Sequence, residues 1–261
     1  MNKTISEAVI LMAGSGSRLR SAGENCLKPL VPLLGRPLIS YTLDALRKVG
    51  IKNIYAVVGF EGESLRADVK ALIPSNLKVC WIDNPDWRKQ NGISVLAAAP
   101  QVTAPFLLTM GDHLFEQLIV DLLLREAKPD RLNLAIDKKL DSIFDLNDAM
   151  KVRMRGNQVV AVGKDLQDYD AVDTGLFVCP REFFDYLERA KRNGDCSLAD
   201  GVRLMAADDQ VRGIDIGPAW WQDVDTPEML ACAAQHLRTR TRRQDTEAVS
   251  ASTQPSDKSE Q

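Results

Sequence analysis

The residues best suited to chemistry begin near the start of the chain. Gly14 and Gly16 follow an apolar run at residues 8–13, and Arg18 comes two positions later. Glycines let the backbone turn sharply and point its N–H groups at an anion, and a guanidinium is a planar fork that fits a phosphate. These features favour a phosphate-binding loop. It is neither of the two commoner kinds, because GxxxxGK[ST] is absent and Leu19 stands where a dinucleotide fingerprint needs its third glycine.

Three further charged residues extend this set. Lys28 follows the glycine-rich segment, Asp112 comes directly after an apolar run, and Asp225 lies far along the chain. Open α/β sheets gather ligands at the carboxyl ends of their strands, and carboxylate oxygens suit Mg²⁺. From the residues alone, Asp112 could equally be a turn residue and Asp225 a helix cap. Asp223 is close enough to Asp225 to be the alternative metal ligand.

Three motifs in this order resemble the nucleotidyltransferase family that makes sugar and polyol nucleotides. They are residues 11–19 (LMAGSGSRL), 28–30 (KPL) and 35–39 (GRPLI). The charge of Arg18 suits it to neutralise phosphate. The resemblance implies that the loop wraps the triphosphate of a nucleotide, and that Lys28 stabilises charge on the transferred α-phosphate. It also implies that Asp112 and Asp225 hold Mg²⁺, the latter within the motif WQDVDTP.

Residues 91–94 (NGIS) open a predicted helix in the region where the family reads the nucleobase. A glycine allows a flat base to approach the backbone, and an asparagine can both donate to and accept from its edge. A simple helix cap by Asn91 is the competing interpretation. The predicted nucleotide-binding residues are Leu11, Ala13, Gly14, Gly16, Asn91, Gly92 and Ser94.

Further segments look like those of the CTP:inositol-1-phosphate cytidylyltransferases. They are residues 111–115 (GDHLF), 135–139 (AIDKK), 145–152 (DLNDAMKV), 163–166 (GKDL), 169–175 (YDAVDTG) and 197–202 (SLADGV). This resemblance implies CTP and a small phosphorylated acceptor as partners, with Mg²⁺ as cofactor. Lys164 and Asp173 are the predicted acceptor-binding residues. Some relatives are fused to a membrane-embedded CDP-alcohol phosphotransferase; this sequence lacks that half, which favours a stand-alone soluble form.

Several other functions remain open at this point. The acceptor could be phosphocholine, which needs an aromatic cage for its quaternary ammonium, or a sugar 1-phosphate used with UTP or GTP. A catalytically inactive regulatory module could keep the fold, although its charged residues are intact. A nicotinamide-binding protein is disfavoured by Leu19.

Composition narrows the cellular context. The net charge of -3 argues against a nucleic-acid binder. The five cysteines form no CxxC pair, which favours reduced thiols in the cytoplasm. No apolar run is long enough to predict membrane insertion. The sequence is compatible with a homodimer.

The elements that must position these residues alternate between apolar runs and helical patterns. The runs predict strands that include residues 53–58, 106–110 and 151–155. This alternation predicts an α/β fold with a doubly wound, mixed and mostly parallel sheet, and the resemblance implies the GT-A-like nucleotide-diphospho-sugar transferase type. We expect residues 1–238 to form a single nucleotidyltransferase domain. Residues 239–261 have almost nothing to bury and are expected to be a disordered polar tail.

Overall fold

The computed structural model describes the backbone of residues 5–21 and 26–252, and the side chains of these ranges apart from residues 20, 21 and 241–252. Its strands are β1 (Glu7–Met12), β2 (Pro32–Leu33), β3 (Arg36–Pro37), β4 (Asn53–Val58), β5 (Lys78–Asp83), β6 (Phe106–Met110), β7 (His113–Phe115), β8 (Leu132–Asp137), β9 (Lys151–Arg155), β10 (Gln158–Gly163), β11 (Ala171–Cys179), β12 (Val211–Asp215) and β13 (Trp221–Asp223). Its α-helices are α1 (Ser17–Ser21), α2 (Leu38–Lys48), α3 (Gly62–Lys70), α4 (Asn91–Ala97), α5 (Gln117–Glu126), α6 (Phe183–Ala190), α7 (Leu198–Ala207) and α8 (Pro227–Ser252).

A nine-stranded sheet organises the described part of the chain, in the order β5-β4-β1-β6-β11-β8-β12-β10-β9. The strands β5, β4, β1 and β6 are parallel neighbours, and so are β8 and β12. The strand β11 runs antiparallel between β6 and β8, and β10 runs antiparallel between β12 and β9. Since only β10 and β11 oppose the common direction, the predicted mixed, mostly parallel sheet is confirmed.

The strand β1 shows why the sheet needs helices on both faces. Val9 and Leu11 join one apolar core with α4, α6 and α7, while Ala8, Ile10 and Met12 join the opposite core with α2, α3 and α5. Successive side chains of a strand point to opposite faces, so a continuous apolar run is the pattern of a strand that is covered on both sides.

A third, smaller core supports the residues that the sequence analysis assigns to chemistry. Leu19 of α1 and Val31, just after the 3₁₀ turn Lys28–Leu30, pack in this core with Leu114, Val224 and Ala233. Leu114 lies in β7, and Val224 directly follows β13, the antiparallel partner of β7. This core therefore ties the glycine-rich loop to β7, to β13 and to α8.

The structure differs from the expected tail in one respect, since α8 continues past residue 238 as helix to Ser252. Its sequence explains the continuation, since Arg, Gln, Glu and Ala are good helix formers and adding turns to an existing helix costs little. Arg240 also pairs with Glu116 at 2.8 Å. Residues 253–261 lie outside the described residues. Within the described part, no helix has both the length and the apolar character needed to cross a membrane.

Candidate functional site

The glycine-rich loop leaves the carboxyl end of β1 and brings Lys28 against its own backbone. Gly16 has φ +62°, and a Cβ there would lie 2.7 Å from the Cβ of Lys28. Glycine at 16 is thus required both by the backbone and by the close approach of Lys28. Gly111 has a similar role, because a Cβ there would lie 2.5 Å from the side chain of Met12.

Two aspartates from distant parts of the chain converge on Lys28. Its Nζ donates to Oδ2 of Asp112 and to Oδ1 of Asp225, and Arg18 donates to the other oxygen of Asp225 at 2.5 Å. Asp112 follows β6 and Asp225 follows β13. The pairing of β7 with β13 brings the two segments together, and the amide of Val224 donates to the carbonyl of Asp112 at 3.0 Å.

The electrostatics of this group are strongly coupled. Burial alone would raise the pKa of Asp112, but Lys28 and a hydrogen bond from His113 outweigh it and hold that pKa far below its usual value. Burial alone would lower the pKa of Lys28, but Asp112 and Asp225 together hold it above its usual value. Asp112 is therefore ionised and Lys28 protonated near neutral pH.

Asp223 is a third carboxylate beside this pair. Burial holds its pKa above the usual value, against the opposing effect of His113, and the charges of Asp225 and Asp112 raise it further. Its Oδ1 accepts a hydrogen bond from the Gln222 side chain at 3.0 Å. Among the described side chains, no hydrogen bond or ion pair joins Asp223 to Lys28 or Arg18, whereas both of these cations pair with Asp225.

The orientation of Asp112 is fixed by His113. The Nδ1 of His113 lies 2.7 Å from Oδ1 of Asp112, and an ionised carboxylate can only accept this hydrogen bond. The imidazole is packed on Gly175, which has φ +76°, and a Cβ at that position would collide with the ring. Trp221 stands on another side, with the two ring centroids 6.2 Å apart.

The charged groups continue beyond Arg18. Asp148 lies 3.5 Å from Nη1 of Arg18 and accepts a hydrogen bond from Nζ of Lys164. Six side chains thus alternate in charge, and we call them the ion-pair chain: Asp112, Lys28, Asp225, Arg18, Asp148 and Lys164. Its three carboxylates and three cations balance one another.

Two neighbouring cavities meet at the ion-pair chain. The small cavity, of about 220 Å³, is lined by the loop residues Leu11, Gly14 and Gly16 together with Lys28. The large cavity, of about 550 Å³, has Lys164 in its lining. Both cavities share Arg18, Asp112 and Asp225. Ala13, predicted with the loop residues, is buried, and its carbonyl accepts a hydrogen bond from the Phe60 amide at 3.0 Å.

Asp173 lies on β11 and faces the large cavity. Burial raises its pKa to about 6, although the Gly175 amide donates to it at 2.7 Å and His113 opposes the shift. It is thus a carboxyl group with a pKa of about 6 in the cavity that Asp112 and Asp225 also line. The sequence analysis predicted it as an acceptor-binding residue, and the structure brings it to the same cavity as Lys164.

Asn91, Gly92 and Ser94, in the segment predicted to read the base, make different kinds of contact. Asn91 begins α4 and lines the large cavity, while its Oδ1 accepts from the Leu198 amide at 2.8 Å. Gly92 is buried, and a Cβ there would lie 2.6 Å from the carbonyl oxygen of Cys196. Glycine at 92 therefore lets α4 pack closely against the loop that precedes α7. Ser94 points into the core, where it accepts from Asn84 at 2.9 Å. Ser94 is thus buried with a partner inside the protein, and its assignment to nucleotide binding stays a prediction.

The donor set fits a hard cation only in part. Asp112 and Asp225 already share one cationic group, the ammonium of Lys28, and both offer carboxylate oxygens. Within the described residues, no group of three or more His, Cys, Asp or Glu side chains could by itself hold a metal ion. A metal at this pair would need further oxygen ligands, which the phosphates of a nucleotide can supply.

Three side chains of the site had no assigned role in the sequence analysis. His113 orients Asp112, Asp148 joins Arg18 to Lys164, and Asp137 accepts from the indole of Trp221 at 3.0 Å. Each lies in a segment that carries the family resemblance. Asp148 and Asp137 contact residues that are far away in the sequence, and the contact of His113 with the adjacent Asp112 depends on how its ring is packed, so spacing alone could not reveal these roles.

Comparison with known proteins agrees with this geometry. The model of a MobA-like NTP transferase domain matches residues 8–195. A "Bifunctional IPC transferase and DIPP synthase" of Rubrobacter xylanophilus is 37% identical over 85% of this chain and 50% of its own length, and its Aquifex aeolicus counterpart is 32% identical over 89% and 52%. The chain spans about half the length of these curated relatives.

Solved structures give the same result. The inositol-1-phosphate CTP transferase from T. maritima superposes with a TM-score of 0.76 and 27% identity, covering 88% of this chain and 93% of that one. A putative glucose-1-phosphate thymidylyltransferase from Bacillus anthracis has a TM-score of 0.76 at 15% identity, covering 89% and 95%, and shows the fold alone. The GT-A-like nucleotide-diphospho-sugar transferase fold expected from the motifs is confirmed. The chain belongs to the MobA-like NTP transferase family.

Proposed function

We propose that the chain transfers CMP from CTP to inositol 1-phosphate, giving CDP-inositol and pyrophosphate. The observation that carries the proposal is the meeting of two cavities at Arg18, Asp112 and Asp225, with Lys28 in contact with both aspartates. One cavity is lined by the phosphate loop, and the other offers Lys164 and Asp173. The names of the R. xylanophilus relative and of the T. maritima structure support the choice of nucleotide and acceptor.

The reaction needs alignment and charge neutralisation more than proton transfer. A phosphate monoester has its second pKa near 6, so it is largely dianionic at neutral pH and can attack without a general base. An oxygen of the acceptor's phosphate forms a bond to the α-phosphorus of CTP, and the bond from that phosphorus to the bridging oxygen of the β-phosphate breaks. The electron pair leaves with pyrophosphate. Lys28 and Arg18 stabilise the charge that develops on the α-phosphate.

Five of the predicted binding residues have a direct role in this proposal. Backbone N–H groups of the loop at Gly14 and Gly16 bind the triphosphate. Asn91 keeps its amide donors for the base, since its carbonyl is engaged by Leu198. Lys164 binds the acceptor's phosphate, and Asp173 accepts a hydrogen bond from an acceptor hydroxyl.

A divalent metal ion is general in nucleotidyltransferases of this family, and we propose Mg²⁺ here, held by Asp112 and Asp225 together with phosphate oxygens. When bound, Mg²⁺ supplies positive charge where negative charge develops on the α-phosphate. The two carboxylates become free for this role when Lys28 and Arg18 turn to the phosphates of the substrate.

The tryptophans bear on phosphocholine as the alternative acceptor. Trp220 and Trp221 line the large cavity, but Trp220 is stacked on His236 with centroids 4.1 Å apart. Trp87 packs instead against Gly59, and Trp81 lies on the edge strand β5. This arrangement does not surround a quaternary ammonium as an aromatic cage would.

Pyrophosphate release across four nucleoside triphosphates and a panel of phosphate esters tests the proposal. We expect the highest kcat/KM for CTP with inositol 1-phosphate, and almost none for phosphocholine or glucose 1-phosphate. Equal or higher kcat/KM with UTP or GTP would contradict the choice of base, and a better ester would replace the acceptor. Absence of turnover with every pair would instead favour an inactive nucleotide-binding module.

A further inference from the structure

One carboxylate of the ion-pair chain has no part in the proposed reaction. Asp148 pairs with Lys164 and lies 3.5 Å from Arg18. Both cations line the large cavity, and the proposed function assigns both to phosphate groups. Asp148 thus occupies two cations that the reaction needs, Arg18 beside the α-phosphate and Lys164 at the acceptor's phosphate, and the attack brings these two phosphates together.

The competition between Asp148 and a phosphate is unequal in charge. A carboxylate carries one negative charge, whereas a phosphate monoester carries nearly two and offers three oxygens at neutral pH. The hydrogen bond from Lys164 holds the pKa of Asp148 below its usual value despite partial burial, so the competing carboxylate is ionised. All three side chains are about half exposed, so each pair is individually weak and can exchange partners.

We propose that Asp148 is an internal competitor for the acceptor's phosphate, and that a phosphate monoester binds by displacing its carboxylate from Lys164 and Arg18. The identity of this ligand rests on the proposed function. The competition favours dianions, because a weaker anion gains too little from the two cations to replace the carboxylate.

The position of Asp148 links this exchange to a wall of the cavity. It lies in the segment between β8 and β9, whose residues Ile143, Phe144 and Asp145 also line the large cavity. The amide of Asp148 donates to Asp145 at 3.2 Å, which fixes the carboxylate within a local turn. Release of Asp148 by phosphate therefore frees this segment from its attachment to Arg18 and Lys164.

Calorimetric titration with inorganic phosphate at low ionic strength tests the proposal without depending on turnover. Asp148→Asn should bind phosphate about three- to tenfold more tightly than the native chain, the range expected for weak exposed ion pairs. Asp168→Asn is the matched control, since it also removes one acidic charge but pairs with Arg153 outside both cavities. It should leave the affinity unchanged, and the gain should vanish in Asp148→Asn combined with Lys164→Gln.

The outcomes separate this proposal from the proposed function. If Lys164→Gln weakens phosphate binding but Asp148→Asn leaves it unchanged, the phosphate site stands and the competitor role is overturned. If Asp148→Asn tightens binding equally with and without Lys164, the gain is a general charge effect and the proposal also fails. With inositol 1-phosphate as substrate, Asp148→Asn should lower KM for the acceptor by the same factor, whereas a merely structural role would change kcat or folding.

Discussion

Lys28 stands between two carboxylates that the proposed function assigns to a metal ion. A positive group at that point is required, since Asp112, Asp225 and the nearby Asp223 would otherwise repel one another. The lysine is thus an internal counter-ion as well as a candidate for stabilising the transferred phosphate. Because the lysine has these two roles, we expect substitutions of the lysine and of the aspartates to change the Mg²⁺ dependence of the rate differently.

Asp112→Asn and Asp225→Asn should each lower kcat by at least about 10²-fold, the effect of losing one main electrostatic stabiliser. Both should fold, because an amide of the same size still accepts a hydrogen bond from Lys28. Rate measured against Mg²⁺ concentration should show a weakened metal response in both, whereas Lys28→Met should lose activity without that weakening, because it removes a competitor of the metal and not a ligand. A folded Asp225→Asn enzyme with native rate and metal response would move the assignment to Asp223.

Gly175→Ala should lower both stability and activity. The new methyl group would collide with the ring of His113, and φ +76° is a strained region for alanine. We expect a loss of about 1–3 kcal/mol in the free energy of unfolding, and a weaker Mg²⁺ response because His113 no longer orients Asp112. Gly156→Ala is the control, since its φ is +62° but no atom lies within 4 Å of the added Cβ. Native kcat in a folded Gly175→Ala enzyme would contradict the orienting role of His113.

The raised pKa of Asp173 indicates that replacing this residue should stabilise the fold but impair acceptor binding. Its pKa of about 6 in the folded chain exceeds the usual 3.8. The folded state therefore binds more protons between these values, and stability falls as the pH rises through this window. Asp173→Asn should raise the free energy of unfolding near neutral pH by about 1–3 kcal/mol, with the gain fading as the pH falls from about 6 to about 4. Urea denaturation at several pH values measures it, and a higher acceptor KM should accompany the gain. Equal stability of the two proteins near neutral pH would contradict the raised pKa.

The apolar runs predicted several elements well. The bounds of β4, β6 and β9 coincide with the predicted strands, because each is a short apolar or alternating run between turn residues.

The strand β8 was not predicted, and its sequence explains why. Asn133 and Asp137 interrupt its apolar pattern, yet both are buried: the Asn133 amide donates to the carbonyls of Lys128 and Arg131, and Asp137 is engaged by Lys139. Such partners become visible only in three dimensions.

The candidate site shows the same limit. Motif order predicted that Lys28, Asp112 and Asp225 act together, and the structure brings them into contact. It could not predict that Ser94 accepts a hydrogen bond from Asn84 within the core, or that Gly92 packs on Cys196 about a hundred positions away, because both contacts depend on how the folded chain packs. Local sequence indicates which residue types are available, whereas the packing of α4 on α7 decides which of them face the cavity.

The end of α8 has a measurable role although much of it is polar. Arg240 pairs with Glu116, and His236 stacks on Trp220 at the edge of the large cavity. A chain cut after residue 238 loses Arg240 and should fall in Tm by about 2–4 °C, the effect of about 1 kcal/mol in a protein of this size. A cut after residue 243 keeps the pair and should leave Tm unchanged. Arg240→Ala in the full chain should reproduce the first result, and a Tm loss above about 4 °C in the longer chain would show that later residues pack.

The molecule as a whole balances its site charges internally, and this balance links its ligands. Lys28 and Arg18 neutralise Asp112 and Asp225 in the structure. A triphosphate that recruits the two cations leaves the carboxylates facing one another, so CTP alone binds against an electrostatic cost. A divalent cation removes that cost but gains little at the carboxylates while Lys28 holds them. Their binding should therefore be cooperative, and by linkage each should increase the affinity for the other by the same factor.

Thermal unfolding measures this coupling through the stabilisation that a ligand gives to the folded state. CTP alone and Mg²⁺ alone should each raise Tm only slightly, and the two together should raise it by more than the sum of the separate shifts. In Asp225→Asn the joint shift should shrink towards that sum, because one of the two competing carboxylates is neutral. NADH in place of CTP should give no shift with or without Mg²⁺. Additive shifts in the native chain would contradict the exchange of internal partners, since ligands that share no charged groups have no reason to assist each other.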